Sequence, residues 1–234
     1  MNQVPAIRLF VAAIATGCAF AVGGVPAAAE DPAPSRAPDL PGKRTRLQNV
    51  IFVAFDTETT GFSPEKDRIV EIGAVKFKGG EVIEKASWLV NPKRKIPYWA
   101  RRVHGIDDQM VQNEPTFKEV FPEFATFVEG SVLIAHNARF DISFISEETK
   151  RSGYKSPPNE VIDSLVLFKA WFPASESFSL QALAEHVKLD ACGFHRAMAD
   201  SMYIYSIFGM GSAQDDEVKT LGSLQKKAGG ALQF

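Results

Sequence analysis

Apolar residues along this chain recur with two different periods, and the order in which the periods alternate predicts a fold. Val50 to Phe55 is an unbroken apolar run without a turn residue, which reads as a strand covered on both faces. Ile69 to Phe77 and Glu81 to Val90 are apolar-rich and meet at Gly79-Gly80, a hairpin signature because tight two-residue turns need the positive φ that glycine adopts freely. From Thr116 to Val128 the residues Phe117, Val120, Phe121, Phe124 and Val128 recur at helical spacing, predicting an amphipathic helix. A short apolar strand, Val132 to Ala135, follows, then a helix from about Ala138 to Arg151 with Asn137 as its cap. A strand at Glu160 to Ile162 precedes helical patterns at Ser164 to Trp171, Leu180 to Val187 and Arg196 to Phe208. Asn91 to Gly105, with Pro92 and Pro97, reads as irregular. Three strands followed by alternating helix and strand predict an α/β domain with a mixed central sheet flanked by helices. No internal repeat or glycine-rich phosphate loop stands out.

The ends of the chain have a different character. Arg8 is followed by an almost wholly apolar stretch, Leu9 to Val22, and then by the small residues Ala27-Ala28-Ala29, the order of a secretory signal peptide. The apolar stretch falls short of the roughly 20 residues a spanning helix needs. Residues 1–29 are therefore expected to be a signal peptide, with export and no stable membrane insertion after cleavage. The alternatives are a lipid on Cys18, an uncleaved leader that tethers the protein, or a cytoplasmic protein translated from a later start. Residues 30–48, with Pro32, Pro34, Pro38 and Pro41, read as an extended linker. Residues 211–234 are polar, Lys- and Gly-rich, and read as a flexible tail.

Composition then narrows the chemistry. The 234 residues are 45% hydrophobic and 23% charged, which suits one globular domain with appendages. Loss of the leader removes Arg8 alone and takes the net charge from −2 to −3, so any nucleic-acid binding must be local rather than driven by global charge. Of the two cysteines, Cys18 lies in the leader, leaving Cys192 without an intrachain partner and ruling out a thiolate metal cluster.

Candidate chemistry begins where the first strand ends. Asp56 and Glu58 are two apart at its carboxyl end, so their side chains point the same way. Two carboxylates held beside a core repel each other unless a cation sits between them. Taken alone the pair fits a solvated acidic turn as well as a metal site. Asp141 lies in the first turns of a helix, where the helix dipole favours an acid without any catalytic role. Asp200 shares a helix face with Ile204 and Ile207, so it points inward, where an unpaired carboxylate is costly. His195 lies five residues earlier; a histidine beside a buried carboxylate, with an ordinary pKa near 6.5, suits removal of a proton from water.

These residues lie in motifs. In order they are Asp56-Thr57-Glu58-Thr59-Thr60-Gly61, Ile69-Val70-Glu71-Ile72-Gly73, His104-Gly105-Ile106, His136-Asn137-Ala138-Arg139-Phe140-Asp141, Ile162-Asp163-Ser164-Leu165, Ser179-Leu180-x-x-Leu183-Ala184 and His195-Arg196-Ala197-x-x-Asp200. The set resembles the DEDD-type 3′→5′ exonucleases, and within them the subgroup with a histidine general base that includes the DnaQ-like polymerase proofreading subunits. The resemblance implies a ribonuclease-H-like exonuclease domain over residues 49–210, acting on single-stranded DNA or RNA 3′ ends. It implies two Mg²⁺ or Mn²⁺ ions held by Asp56, Glu58, Asp141 and Asp200, with His195 as base. It also implies terminal-nucleotide contacts from His104 and from Thr59 to Gly61. Phe140, beside Asp141, is a further candidate substrate contact, with a core position as the more ordinary reading. Lys93, Arg94, Lys95, Arg101 and Arg102, around Tyr98 and Trp99, read either as a nucleic-acid guide or as a solvated surface. The rival reading is a catalytically silent domain of the same fold that binds nucleic acid or a partner.

Overall fold

The central strand of the sheet grows out of the unbroken apolar run Val50 to Phe55. In a computed structural model that describes residues 40–190 and 193–234, β1 (Ile51–Thr59) pairs antiparallel with β2 (Ile69–Lys78), and β2 pairs antiparallel with β3 (Glu81–Leu89). On its other side β1 pairs parallel with β4 (Val132–Ala135), and β4 pairs parallel with β5 (Val161–Asp163). The sheet order is β3-β2-β1-β4-β5, the mixed sheet that the alternation of periods predicts. Gly79 and Gly80 both have positive φ, 59° and 88°, as the tight β2–β3 turn requires. Cys192 and the leader lie outside the described residues, as does most of the expected linker.

Between β3 and β4 come α1 (Tyr98–His104), α2 (Asp108–Val111) and α3 (Phe117–Val128); α4 (Arg139–Ser152) connects β4 to β5. After β5 come α5 (Ser164–Trp171), α6 (Leu180–His186), α7 (Ala197–Gln214) and α8 (Leu221–Lys227). Because side chains alternate along β1, Val53 and Phe55 join a cluster with α3 and α4, while Phe52 and Ala54 join one with α5 to α8. Each large side chain buried this way contributes roughly 1.5–3 kcal/mol.

The structure corrects four local expectations. The stretch read as irregular contains α1, whose Ala100 and His104 are buried; proline hides this helix from the pattern, since Pro97 occupies its N-cap position. Asn137 does not cap α4. It adopts φ 60°, its N–H donates to Asp163 Oδ1 at 3.2 Å, and Ala138 holds the cap position without a side-chain bond.

The expectation of a flexible tail also fails. Val218, Leu221, Leu224 and Ala228 are buried in the α5–α8 core cluster, and Val161 and Leu232 exchange backbone hydrogen bonds at 2.9 and 2.8 Å, covering part of the β5 edge. The last part of the expected linker packs as well: Leu221 N–H donates to the Thr45 carbonyl at 2.9 Å and Gly222 N–H to that of Lys43 at 2.8 Å. Mean polarity conceals four spaced apolar residues, of which Leu221 and Leu224 lie on α8 and Val218 and Ala228 flank it. Among the described residues no helix is long and apolar enough to cross a membrane. Leu221 is fully buried, so Leu221→Ala should cost about 2–5 kcal/mol in urea unfolding; a cost near zero means this segment does not belong to the core.

Candidate active site

At the carboxyl end of β1 the chain places its acids on both sides of the sheet. Asp56 and Glu58 follow Phe52 and Ala54 on the face that carries α7, and Asp200 sits in the first turn of that helix. These three each offer a carboxylate oxygen, and the three atoms lie within 4.8 Å of one another. Thr57 points the other way and donates from Oγ1 to Asp141 Oδ1 at 2.7 Å, fixing the acid of α4 from the neighbouring strand. The β1–β2 register shifts between Glu58 and Thr59. The extra residue is Val70 on β2, so the regular pairing is interrupted directly after the acids.

Electrostatics follow from that crowding. Burial, then the charges of Asp141, Glu58 and Asp200, hold the Asp56 carboxyl well above the usual carboxylate range. Burial followed by Asp200 and Glu71 pushes Glu58 up to about 8, with Arg196 opposing. Burial raises Asp141 to about 7 against the Thr57 bond, and raises Asp200 to about 6 against the bond from the His195 N–H. That N–H donates to Asp200 Oδ2 at 3.0 Å, while Asp200 Oδ1 is buried without a hydrogen-bond partner among the described residues. A buried carboxylate oxygen without a protein partner, among other acids, fits a divalent cation as its partner, and an all-carboxylate donor set suits hard ions such as Mg²⁺ or Mn²⁺.

The remaining sequence-derived candidates fall as follows. His195 is exposed at the start of α7 with φ 63°. Thr59 Oγ1 donates to the Gly61 carbonyl at 2.6 Å, and the absence of a side chain at Gly61 leaves room for the Asp67 carboxylate, which a Cβ would meet at 2.1 Å. His104 is buried at the end of α1. Its Nδ1 accepts the Ile106 N–H at 3.0 Å, which leaves Nε2 as the protonated nitrogen, close to the Thr59 backbone. Burial lowers its pKa. Phe140 packs on Phe144, ring centroids 4.8 Å apart, at the margin of the core cluster on the α3 and α4 side.

Of the five cations, Arg94 pairs with Asp67, Lys95 with Asp108 and Arg101 with Asp107. The run is therefore in large part internally neutralised. Next to it Trp99 stacks on Phe62, centroids 5.1 Å apart and 14° from parallel, although both rings are well exposed.

Glu71 and Arg196 stand in the quoted motifs, but the sequence assigns neither a role. Glu71 is 1% exposed and lies opposite Glu58 in the β1–β2 register; it accepts from Arg196 Nε at 3.0 Å and Nη2 at 2.8 Å. The signal was available: one acid inside the apolar run Ile69 to Val75, where a charge needs a partner.

A mixed sheet with helices on both faces and clustered carboxylates at the end of its central strand is the ribonuclease-H-like exonuclease architecture. The RNase_T exonuclease family model matches residues 53–208, and the chain belongs to that family. The DNA polymerase III subunit epsilon of Treponema pallidum is 38% identical over 163 residues, covering 69% of this chain and 76% of that protein. The Aquifex aeolicus subunit epsilon is 36% identical over 165 residues, 70% of this chain and 82% of that one. The Clostridium perfringens DNA polymerase III PolC-type is 42% identical over 150 residues, 64% of this chain, but the match spans only 10% of that much longer protein. Among solved structures, Exonuclease X in complex with 5′ overhanging duplex DNA superposes with a TM-score of 0.61 at 27% identity, covering 76% of this chain and 99% of that one.

Raised carboxylate pKa values carry a sign. Each group's folded pKa exceeds its unfolded value near 4, so the folded state binds extra protons, and the metal-free protein loses stability as pH rises from about 4 through about 8. Divalent ions bind the ionised form and offset that loss. The rise in Tm on adding Mn²⁺ should therefore be larger at about pH 8 than at about pH 5.5. Equal rises in calorimetry at the two pH values count against these acids as the site.

Proposed function

We propose that this chain is a metal-dependent 3′→5′ exonuclease that removes nucleotides from single-stranded DNA ends. The observation that carries the reading is the meeting of Asp56, Glu58 and Asp200 oxygens within 4.8 Å, with Asp200 Oδ1 left without a partner. Asp56, Glu58 and Asp200 would hold one Mg²⁺ or Mn²⁺, and Asp56 with Asp141 a second. Bound ions of this kind neutralise the acids and stabilise the attacking and leaving oxygens of an in-line displacement. The protein's own groups supply the rest. His195, exposed beside the acids, takes the proton of the attacking water, and the Asp200 bond to its backbone N–H holds it at the rim. The Thr59–Gly61 turn contacts the terminal nucleotide, and His104, with Nε2 buried beside the Thr59 backbone, supports that turn from behind. The Phe62–Trp99 stack, one residue beyond that turn, offers exposed rings for an unpaired base. DNA as substrate is supported by the polymerase epsilon relatives and by the DNA bound to Exonuclease X.

Export by the leader is the accompanying proposal, motivated by Leu9 to Ala29 alone. Intact-mass measurement of protein from its native host should find residues 1–29 removed, and a full-length mass rules export by cleavage out.

With Mn²⁺ and matched 3′-labelled DNA and RNA oligonucleotides, the protein should release mononucleotides from DNA. Asp56→Ala should lower that rate by on the order of a thousandfold or more. A wild type as inert as the mutant, but still able to bind the oligonucleotide, establishes the silent binding domain instead. Trp99→Ala should raise KM roughly tenfold at little cost to kcat; an unchanged KM removes the stack from the substrate path.

A further inference from the structure

Helix α7 carries Asp200 and follows His195, yet its N-terminus has no cap of its own: Arg196 occupies the N-cap position and makes no side-chain capping bond. The anion found there comes from another element. Glu71 on β2 accepts the Ala197 N–H at 3.0 Å and holds the Arg196 guanidinium through two bonds, at 3.0 and 2.8 Å. Ser87 Oγ adds a further bond at 3.2 Å. A carboxylate this deeply buried is costly unless fully bonded, and here every bond but one goes to the two residues between His195 and the body of α7. Approach is close as well: a Cβ on Gly73, two residues along β2, would meet the Ala197 carbonyl carbon and the Met198 nitrogen at 2.2 Å. Ser201 Oγ closes the contact by donating to the Gly73 carbonyl at 2.9 Å.

We infer that Glu71 is a positioning residue for catalysis: as a cap supplied from the sheet, and through its fork to Arg196, it sets where His195 and Asp200 stand relative to Asp56 and Glu58. The chain thus stiffens the joint between strand and helix at the point where the two halves of the site meet. The inference rests on the exonuclease reading for its kinetic consequence, though not for its structural one.

The experiment has two arms. Hydrogen exchange of the metal-free protein, without substrate, compares wild type with Glu71→Gln, which keeps the shape and loses the charge. Exchange should rise at Ala197 and His195 and stay unchanged in α3 and α4. With Mn²⁺ and a saturating single-stranded DNA oligonucleotide, Glu71→Gln should lose about 10- to 100-fold in kcat, with KM within about threefold of wild type. If Glu71→Gln does not fold, the double variant Glu71→Leu/Arg196→Met replaces the ion pair with apolar volume; it should fold and still show the low kcat. A variant that keeps kcat within about twofold overturns the inference. So does a loss of kcat with unchanged exchange at Ala197 and His195, because Glu71 then acts by its charge and not by placing the helix. An inert wild type sinks the exonuclease reading alone; raised exchange confined to the start of α7 still supports the clamp, and unchanged exchange overturns it.

Discussion

Burial of four carboxylates at the carboxyl end of the central strands, with repulsion added at Asp56 and Glu58, is the constraint around which this structure is arranged. Asp56, Glu58, Asp141 and Asp200 all have raised pKa values with burial as the first cause. The cluster is therefore strained without a cation and stabilised by one, and the rest of the domain serves to hold it together against that strain. The core does this through β1: Phe52 and Ala54 anchor one face and Val53 and Phe55 the other, so the strand cannot shift its register to relieve the acids.

The acids come from different depths of the fold, and each is held by a different device. Asp56 and Glu58 ride the central strand just before the bulge. Asp141 begins α4, at the carboxyl end of β4 next door, and is oriented by the Thr57 hydroxyl. Asp200 begins α7, which reaches the sheet only because Gly73 has no side chain. Open α/β sheets bind ligands outside the carboxyl ends of their parallel strands, and the parallel β1–β4 pair puts this cluster in that place. Glu71 then ties the helix start to β2 from below, using a fifth acid that is neutralised by the protein itself.

Much of this was legible along the chain. Strand periods, the Gly79-Gly80 turn and the amphipathic spacing from Phe117 to Val128 depend on neighbours a few residues apart, so local pattern specifies them. The acids were legible as a family pattern, since each stands in a short motif of its own. Elements whose stability comes from distant partners were not. The α1 helix, hidden behind prolines, is stabilised by burying Ala100 and His104. The segment from Val218 to Leu232 looks like a solvated tail until Val161 and the α5–α8 core take it up.

The sequence by itself determined the mixed sheet, the buried central strand and the identity of the acids, because periodicity and side-chain chemistry are properties of the chain. Only the tertiary structure decided that residues from 56 to 200 share a space under 5 Å wide at Asp56, Glu58 and Asp200. It alone decided that Thr57 serves Asp141 and that Glu71, 125 residues away, grips Arg196. The physical reason is that such contacts depend on strand register and on how closely a helix approaches a sheet, which are set by the packing of the whole domain.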